Sequence, residues 1–138
     1  MTNLVDVLVV EDNPYDRELF KQILESKGYS TDAVCCYTTL EEWIRGNKPR
    51  YVLMDYDPEE CGHSYINGYK SAKLLRERFG KEVFIHLFSH RISSDIEPNE
   101  NMSLDQMVEE GTFDAYTPKN LEMASALIEM QKKVYKNF

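Results

Sequence analysis

The stretch LVDVLVVEDNP, residues 4–14, decides the fold class of this chain. It begins with a nearly continuous apolar run rich in β-branched side chains, which is the pattern of a strand buried on both faces of a parallel sheet. The polar residues Glu11, Asp12 and Asn13 end the run abruptly. Pro14 suits the first position of a helix and Asn13 suits its N-cap. A buried strand therefore leads directly into a helix.

The same alternation of strand and helix recurs along the chain, with no repeat and no linker. It predicts an α/β domain: a doubly wound five-stranded parallel sheet with helices on both faces, joined by right-handed crossovers. The predicted strands are residues 4–10, 33–36, 51–54, 83–88 and 113–117, and the predicted helices are 14–28, 38–46, 69–79, 103–110 and a last one after Asn120.

Composition narrows the class further. The 138 residues suffice for one domain, so residues 1–138 are expected to form a single unit. With 24 Asp and Glu against 16 Lys and Arg the net charge is −8, which argues against direct binding to nucleic acid. Three cysteines, two of them adjacent, fit a reducing compartment better than a disulfide framework. No stretch is long enough to span a bilayer, so we expect no membrane insertion and a cytoplasmic protein.

Polar residues follow the predicted strands at their carboxyl ends, where ligands bind in open α/β sheets. The first strand ends in Glu11 and Asp12, the third in Asp55 and the fourth in Ser89, and Lys119 closely follows the fifth. Converging carboxylates repel one another unless a cation lies among them, and Mg²⁺ is the usual occupant of such a site. A hydroxyl and an ammonium beside the metal suit a phosphoryl group. Each residue alone reads more simply as a helix cap, a turn former or a surface charge; their order along the chain points to phosphoryl chemistry.

Four stretches resemble the receiver domain of two-component response regulators, and the resemblance covers nearly all of the chain. They are VLVVEDN (7–13), YVLMD (51–55), the strand 84–89 that ends in serine, and DAYTPK (114–119). The resemblance implies the flavodoxin-like strand order 2-1-3-4-5. It also implies a phosphoprotein that takes part in a phosphorelay.

The resemblance further implies a role for each matched residue. Asp55 would accept the phosphoryl group, with Mg²⁺ as cofactor. The implied metal ligands are Glu11 (through a water), Asp12, Asp55 and the backbone carbonyl of Asp57. The implied phosphate and switch residues are Ser89, Lys119 and Tyr116, with the Tyr116 rotamer following the position of Ser89.

Partners also follow from the resemblance. A histidine kinase or a phosphotransfer protein would donate the phosphoryl group, and the receiver would pass the signal to a downstream protein or to a second copy in a homodimer. Such a domain is not an enzyme in the usual sense, although it assists its own phosphorylation and dephosphorylation. We expect residues 1–138 to form a single receiver domain without a DNA-binding output domain, either as a single-domain regulator or as the N-terminal piece of a longer protein.

Some features depart from the family pattern and keep alternatives open. The loops 58–67 and 90–102 are longer than usual, and Lys119 follows Pro118 where lysine usually comes first. One alternative is a receiver-like module that binds partners without being phosphorylated. Another is a phosphatase of the haloacid-dehalogenase type that uses Asp55 and Asp57. Cys61 and His63 could ligate a metal, but no second pair completes a tetrahedral site.

Overall fold

The structure, a computed structural model, describes residues 2–11, 13–35, 37–54, 68–89 and 109–118. The described strands and helices alternate along the chain as far as the fourth strand. The strands are β1 (Asn3–Val10), β2 (Thr31–Val34), β3 (Asn47–Met54), β4 (Phe84–Ser89) and β5 (Ala115–Pro118). The helices are α1 (Pro14–Ser26), α2 (Tyr37–Trp43) and α3 (Gly68–Phe79), followed by a short 3₁₀ helix at Gly80–Glu82.

All strand pairs are parallel, and the sheet has the order β2-β1-β3-β4-β5. Because the first strand lies inside the sheet, the chain must reverse its direction of winding after β2. The parallel α/β class predicted from the sequence is therefore confirmed. The reversal places the carboxyl ends of β1 and β3 side by side, which is where such sheets carry their ligand sites.

The two faces of the sheet bury two separate apolar clusters, because alternate side chains of a strand point to opposite faces. Val7 and Val9 of β1 pack on one face with Phe20 and Leu24 of α1. The neighbouring β1 residues Leu8 and Val10 pack on the other face with side chains of α2 and α3, which include Leu40, Ala72 and Leu75. Helices thus cover both faces, as the sequence predicted.

Helix α1 begins and ends as the sequence predicts. The side chain of Asn13 accepts a hydrogen bond from the Asp16 backbone N–H at 3.0 Å, which is the N-cap arrangement. Pro14 is the first helical residue. Gly28 follows the helix at φ +93°, a left-handed conformation that glycine adopts without steric cost. These boundaries depend on contacts within a few residues.

Strand boundaries differ more from the prediction, which was wrong about the first residue by two to four positions for three strands and by one position for the other two. Strand β3 begins at Asn47 rather than Tyr51, β2 at Thr31 rather than Ala33, and β5 at Ala115 rather than Phe113. Pairing with β1 extends β3 through Pro49, which lies opposite Val5. Proline has no N–H to donate. Because β3 pairs with β4 only from Tyr51 onward, Pro49 interrupts no hydrogen bond between these two strands.

The side chain of Arg76 ties α3 to the amino ends of β4 and β5. Its Nε donates to the Gly111 carbonyl at 2.8 Å, and its Nη1 donates to the carbonyls of Gly80 and Val83 at 3.0 and 2.6 Å. Its Nη2 forms an ion pair with Asp114. Asp114 in turn accepts from the Ile85 N–H at 2.7 Å and donates its own N–H to the Ile85 carbonyl at 2.8 Å. This arrangement sets where β5 meets β4.

Several predicted segments lie outside the described residues. They are the two long loops 58–67 and 90–102, most of the predicted helix 103–110, of which residues 109–110 are helical, and the last helix after Asn120. Of the helices that the structure describes, none combines the length and the apolar character needed to cross a membrane.

Candidate functional site

The carboxyl ends of the central strands meet at one edge of the sheet. Val10, the last residue of β1, pairs with Met54, the last residue of β3. Met54 also pairs with Leu87 of β4, and Ser89 at the end of β4 pairs with Pro118 of β5. The carboxyl ends of β1, β3 and β4 therefore lie side by side at this edge of the sheet.

Glu11 is the predicted site residue whose side chain the structure describes, and it is only 2% exposed. Its backbone N–H donates to the Val34 carbonyl of β2 at 3.1 Å, so the residue continues the edge of β1. Its Oε2 accepts from the Asn13 N–H at 3.3 Å. A carboxylate is expensive to bury without compensating hydrogen bonds or a cation. A buried acid at this edge of the sheet is therefore suited to a cation-binding role.

The first turn of α1 holds the segment that carries Glu11. Arg17 donates from Nη1 to the Glu11 carbonyl at 3.0 Å, and its backbone N–H donates to the Asn13 carbonyl at 2.9 Å. The sequence patterns did not single out Arg17. Its spacing of four residues from the N-cap, one helical turn, is the signal that could have pointed to it.

The remaining predicted site residues are described only in part or lie outside the described ranges. Ser89 is the last residue of β4, and Tyr116 in the neighbouring β5 pairs with Leu87, two residues before Ser89. The backbone thus brings the two predicted switch positions onto adjacent strands at the same end of the sheet. The following predicted residues lie outside the described ranges: Asp12, Asp55, Asp57 and Lys119, as well as Cys61 and His63.

The described residues alone do not form a metal centre. Among them, no three His, Cys, Asp or Glu side chains are grouped closely enough to hold an ion. Glu11 is the single predicted ligand whose side chain falls within those ranges. Whether Asp12 and Asp55 complete the group stays a prediction.

A pair of buried polar side chains lies away from this edge, between β3 and β4. The Tyr51 hydroxyl and His86 Nδ1 lie 2.5 Å apart, and both residues are 1% exposed. Burial raises the pKa of Tyr51 far above its usual range, and Asp114 adds to that increase. Burial also lowers the pKa of His86 to about 4, an effect that the charge of Asp114 partly opposes. Both groups are therefore neutral near pH 7, which fits a structural role.

A surface groove of about 400 Å³ lies at the opposite end of the sheet. Its lining residues are Lys73, Arg76, Glu77, Gly80, Lys81, Glu110, Gly111 and Thr112. They belong to the end of α3 and to the segments that precede β4 and β5. The groove is therefore separate from the edge that carries Glu11, and its lining mixes both signs of charge.

Comparisons with known proteins agree with this geometry. The family model for the response regulator receiver domain matches residues 7–109. A search of curated proteins finds no match.

Solved structures give three instructive similarities, each to a receiver or response regulator. The N-terminal domain of a three-domain response regulator from Carboxydothermus hydrogenoformans is 18% identical with a TM-score of 0.70, and the alignment covers 96% of this chain and 97% of that one. The receiver domain of the Francisella response regulator 1452 is also 18% identical, with a TM-score of 0.71 and coverage of 94% and 97%. A response regulator from Thermotoga maritima, solved in complex with Mg²⁺ and BeF, is 20% identical with a TM-score of 0.68 and coverage of 96% and 98%.

At these identities the solved structures establish the fold, while the family model covers well over half of the chain. The order of the sheet and the acidic end of β1 are consistent with both findings. The chain belongs to the response regulator receiver domain family of two-component signalling.

Proposed function

We propose that this chain is a phosphoacceptor receiver in which Asp55 takes up a phosphoryl group in a Mg²⁺-dependent reaction. The observation that carries the proposal is the burial of Glu11 at the end of β1, beside the end of β3. Asp55 follows β3 directly in the chain and Asp12 follows Glu11. In the chain, the three acids thus come directly after two strands whose last residues, Val10 and Met54, pair with each other.

The donor set suits a magnesium ion, which prefers a few carboxylate oxygens together with water. We assign Glu11, Asp12, Asp55 and the backbone carbonyl of Asp57 to this metal, with Glu11 acting through a water molecule. When bound, the ion would neutralise charge on the incoming phosphoryl group. The carboxylate oxygen of Asp55 would then act as the nucleophile, and the Lys119 ammonium and the Ser89 hydroxyl would bind the phosphoryl oxygens.

The signalling step in this proposal uses the β4–β5 side of the sheet. Ser89 would move toward the acyl phosphate, and Tyr116 would change rotamer in response. Backbone adjacency of β4 and β5 supports this coupling, because Leu87 pairs with Tyr116 just before Ser89. A histidine kinase or phosphotransfer protein would act as donor, and the face near Tyr116 would contact the downstream protein or a second copy of the chain. On this proposal the protein works in the cytoplasm as a phosphoacceptor rather than as an enzyme.

Intact mass spectrometry after incubation with a small phosphodonor and Mg²⁺ tests the proposal. The wild type is expected to gain one phosphoryl group, and Asp55→Asn is expected to gain none. Asp57→Asn is the matched control, since only its backbone carbonyl is assigned a role. Labelling of Asp55→Asn at the wild-type level would refute the assignment, and loss of labelling in Asp57→Asn alone would identify a different aspartate.

Magnesium binding separates the phosphoacceptor from a receiver-like module that only binds partners. A ligand that binds the folded state raises the melting temperature, so Mg²⁺ is expected to stabilise the wild type and not Asp12→Ala. Absence of Mg²⁺ binding at millimolar concentration would favour the binding-only module. The haloacid-dehalogenase alternative finds no support in the family comparison, which matches the receiver model.

A further inference from the structure

Arg17 connects the start of α1 to the acidic segment after β1. Its guanidinium donates from Nη1 to the Glu11 carbonyl at 3.0 Å, and its backbone N–H donates to the Asn13 carbonyl at 2.9 Å. The Asn13 N–H in turn donates to Glu11 Oε2 at 3.3 Å. Residues 11 and 13 are thus both held to the first turn of α1. Asp12 lies between them in the chain.

The guanidinium is used here as a hydrogen-bond donor to the backbone. Within the described ranges, the two ion pairs are Lys48–Glu82 and Arg76–Asp114, and neither involves Arg17. Arg17 is also half-buried rather than fully solvated, so its side chain has lost part of its rotamer freedom in this position. An arginine that only balanced the local negative charge would be expected to bind a carboxylate side chain.

We propose that Arg17 is a positioning residue for the acidic end of β1. It fixes the backbone at Glu11 and Asn13 and so positions the segment whose carboxylates are proposed to bind the metal. This inference rests on the proposed function, in which those carboxylates hold Mg²⁺. Groups that orient metal ligands without touching the metal change metal affinity by roughly 10- to 100-fold when they are removed.

Charge and positioning make opposite predictions for the loss of Arg17. Removal of a positive charge near a cation site reduces repulsion and tightens Mg²⁺ binding. Loss of the bond to the Glu11 carbonyl loosens the acidic segment and weakens Mg²⁺ binding. The direction of the change therefore reports which role Arg17 has.

Isothermal titration of Mg²⁺ into three variants tests the proposal. Arg17→Met removes the charge and the donor, and we expect it to bind Mg²⁺ about tenfold more weakly than the wild type. Arg17→Lys keeps a charged donor that can reach the Glu11 carbonyl, and we expect its affinity to lie close to that of the wild type. Lys21→Met is the matched control, because Lys21 lies one turn further along α1 and is likewise half-buried. Its affinity is expected to be unchanged or slightly higher.

Hydrogen exchange of the Asn13 amide in the metal-free protein provides a second readout. Arg17→Met is expected to speed exchange of this amide, because the segment loses one of its two ties, while Lys21→Met leaves it unchanged. A small change in the urea midpoint would show that the fold is intact in both variants.

Each result decides between the two ideas. Unchanged or tighter Mg²⁺ binding by Arg17→Met would overturn the positioning role, as would equal weakening in Arg17→Lys or in Lys21→Met. Unchanged Asn13 exchange in Arg17→Met would overturn it as well. A wild type that does not bind Mg²⁺ would instead refute the proposed function itself.

Discussion

Replacement of Arg76 by methionine should be the most damaging single change at the junction of α3, β4 and β5. Methionine preserves most of the aliphatic stem but removes every donor. Three backbone carbonyls lose a donor, although the Gly111 carbonyl keeps its bond from Lys81 Nζ at 3.0 Å. Asp114 loses its ion-pair partner; its side chain is 20% exposed, and that of Arg76 is 14% exposed. The side chain thus serves four acceptors from a largely desolvated position.

The expected cost follows from these contacts. Removal of one member of a buried ion pair costs about 3–5 kcal/mol, because the remaining charge is left uncompensated. Asp114 retains some solvent contact and keeps its hydrogen bond from the Ile85 N–H, so the low end of that range applies. We expect Arg76→Met to lower the free energy of unfolding by about 3 kcal/mol.

Urea denaturation followed by circular dichroism measures this cost. With a slope of about 1–3 kcal/mol/M, a loss of this size lowers the midpoint by about 1 M or more. Arg78→Met is the matched control, since Arg78 lies on the same helix and is exposed. It should change stability by less than about 0.5 kcal/mol.

A double-mutant cycle with Asp114→Asn isolates the ion pair from the other contacts. Asparagine can still accept from the Ile85 N–H, so the single variant should cost less than Arg76→Met. The two effects are expected to be non-additive, with a coupling of about 1–2 kcal/mol. If Arg76→Met were no more destabilising than Arg78→Met, or if the cycle showed no coupling, the assignment of Arg76 as the residue that joins these elements would be wrong.

Three further predictions concern other parts of the fold. Gly111→Ala should destabilise by about 1–2 kcal/mol in urea, because φ is +90° and an L side chain is strained in that conformation; the Lys81 ammonium would also have to move away from the new Cβ. Full rescue by Lys81→Ala would show that the backbone strain is negligible. His86→Gln should make the stability depend less on pH in the acid range. The pKa of His86 is about 4 in the folded protein and about 6.5 in the unfolded chain, so the stability that the neutral ring contributes is complete above pH 6.5. About 2 kcal/mol of it is lost between about pH 7 and about pH 5, because the unfolded chain takes up a proton on this histidine. An equal decline in wild type and variant would contradict the buried, neutral state of this ring. Asn13→Ala should lower the free energy of unfolding by about 1 kcal/mol, because the N-cap hydrogen bond is lost, whereas Asn13→Asp should keep this bond and the stability. An unchanged thermal midpoint in the alanine variant would count against the N-cap role of Asn13.

The sequence by itself predicted the features that depend on neighbouring residues. The apolar run before Glu11, the N-cap at Asn13 and the glycine at 28 each act within a few positions, so the strand, the helix and their boundary could be read directly. The alternation of such units was enough to predict a parallel α/β sheet, because parallel strands need crossover helices. The position of Glu11 at the end of the first strand was also predicted, because Glu11 directly follows the apolar run, and the structure places it there.

Tertiary structure decided what depends on distant partners. Strand β3 extends to Asn47 because β1 pairs with it, although residues 47–50 carry no strand pattern of their own. Arg76 looks like an ordinary helix cation in the sequence, and only its approach to Asp114, 38 positions away, makes it a half-buried structural residue. The pKa values of Tyr51 and His86 are likewise shifted because the sheet desolvates both side chains. Hydrophobic periodicity in the sequence indicates which face of a helix or strand is buried. The partner of a buried polar group depends on how separate helices and strands pack together, and the spacing of neighbouring residues does not encode that packing.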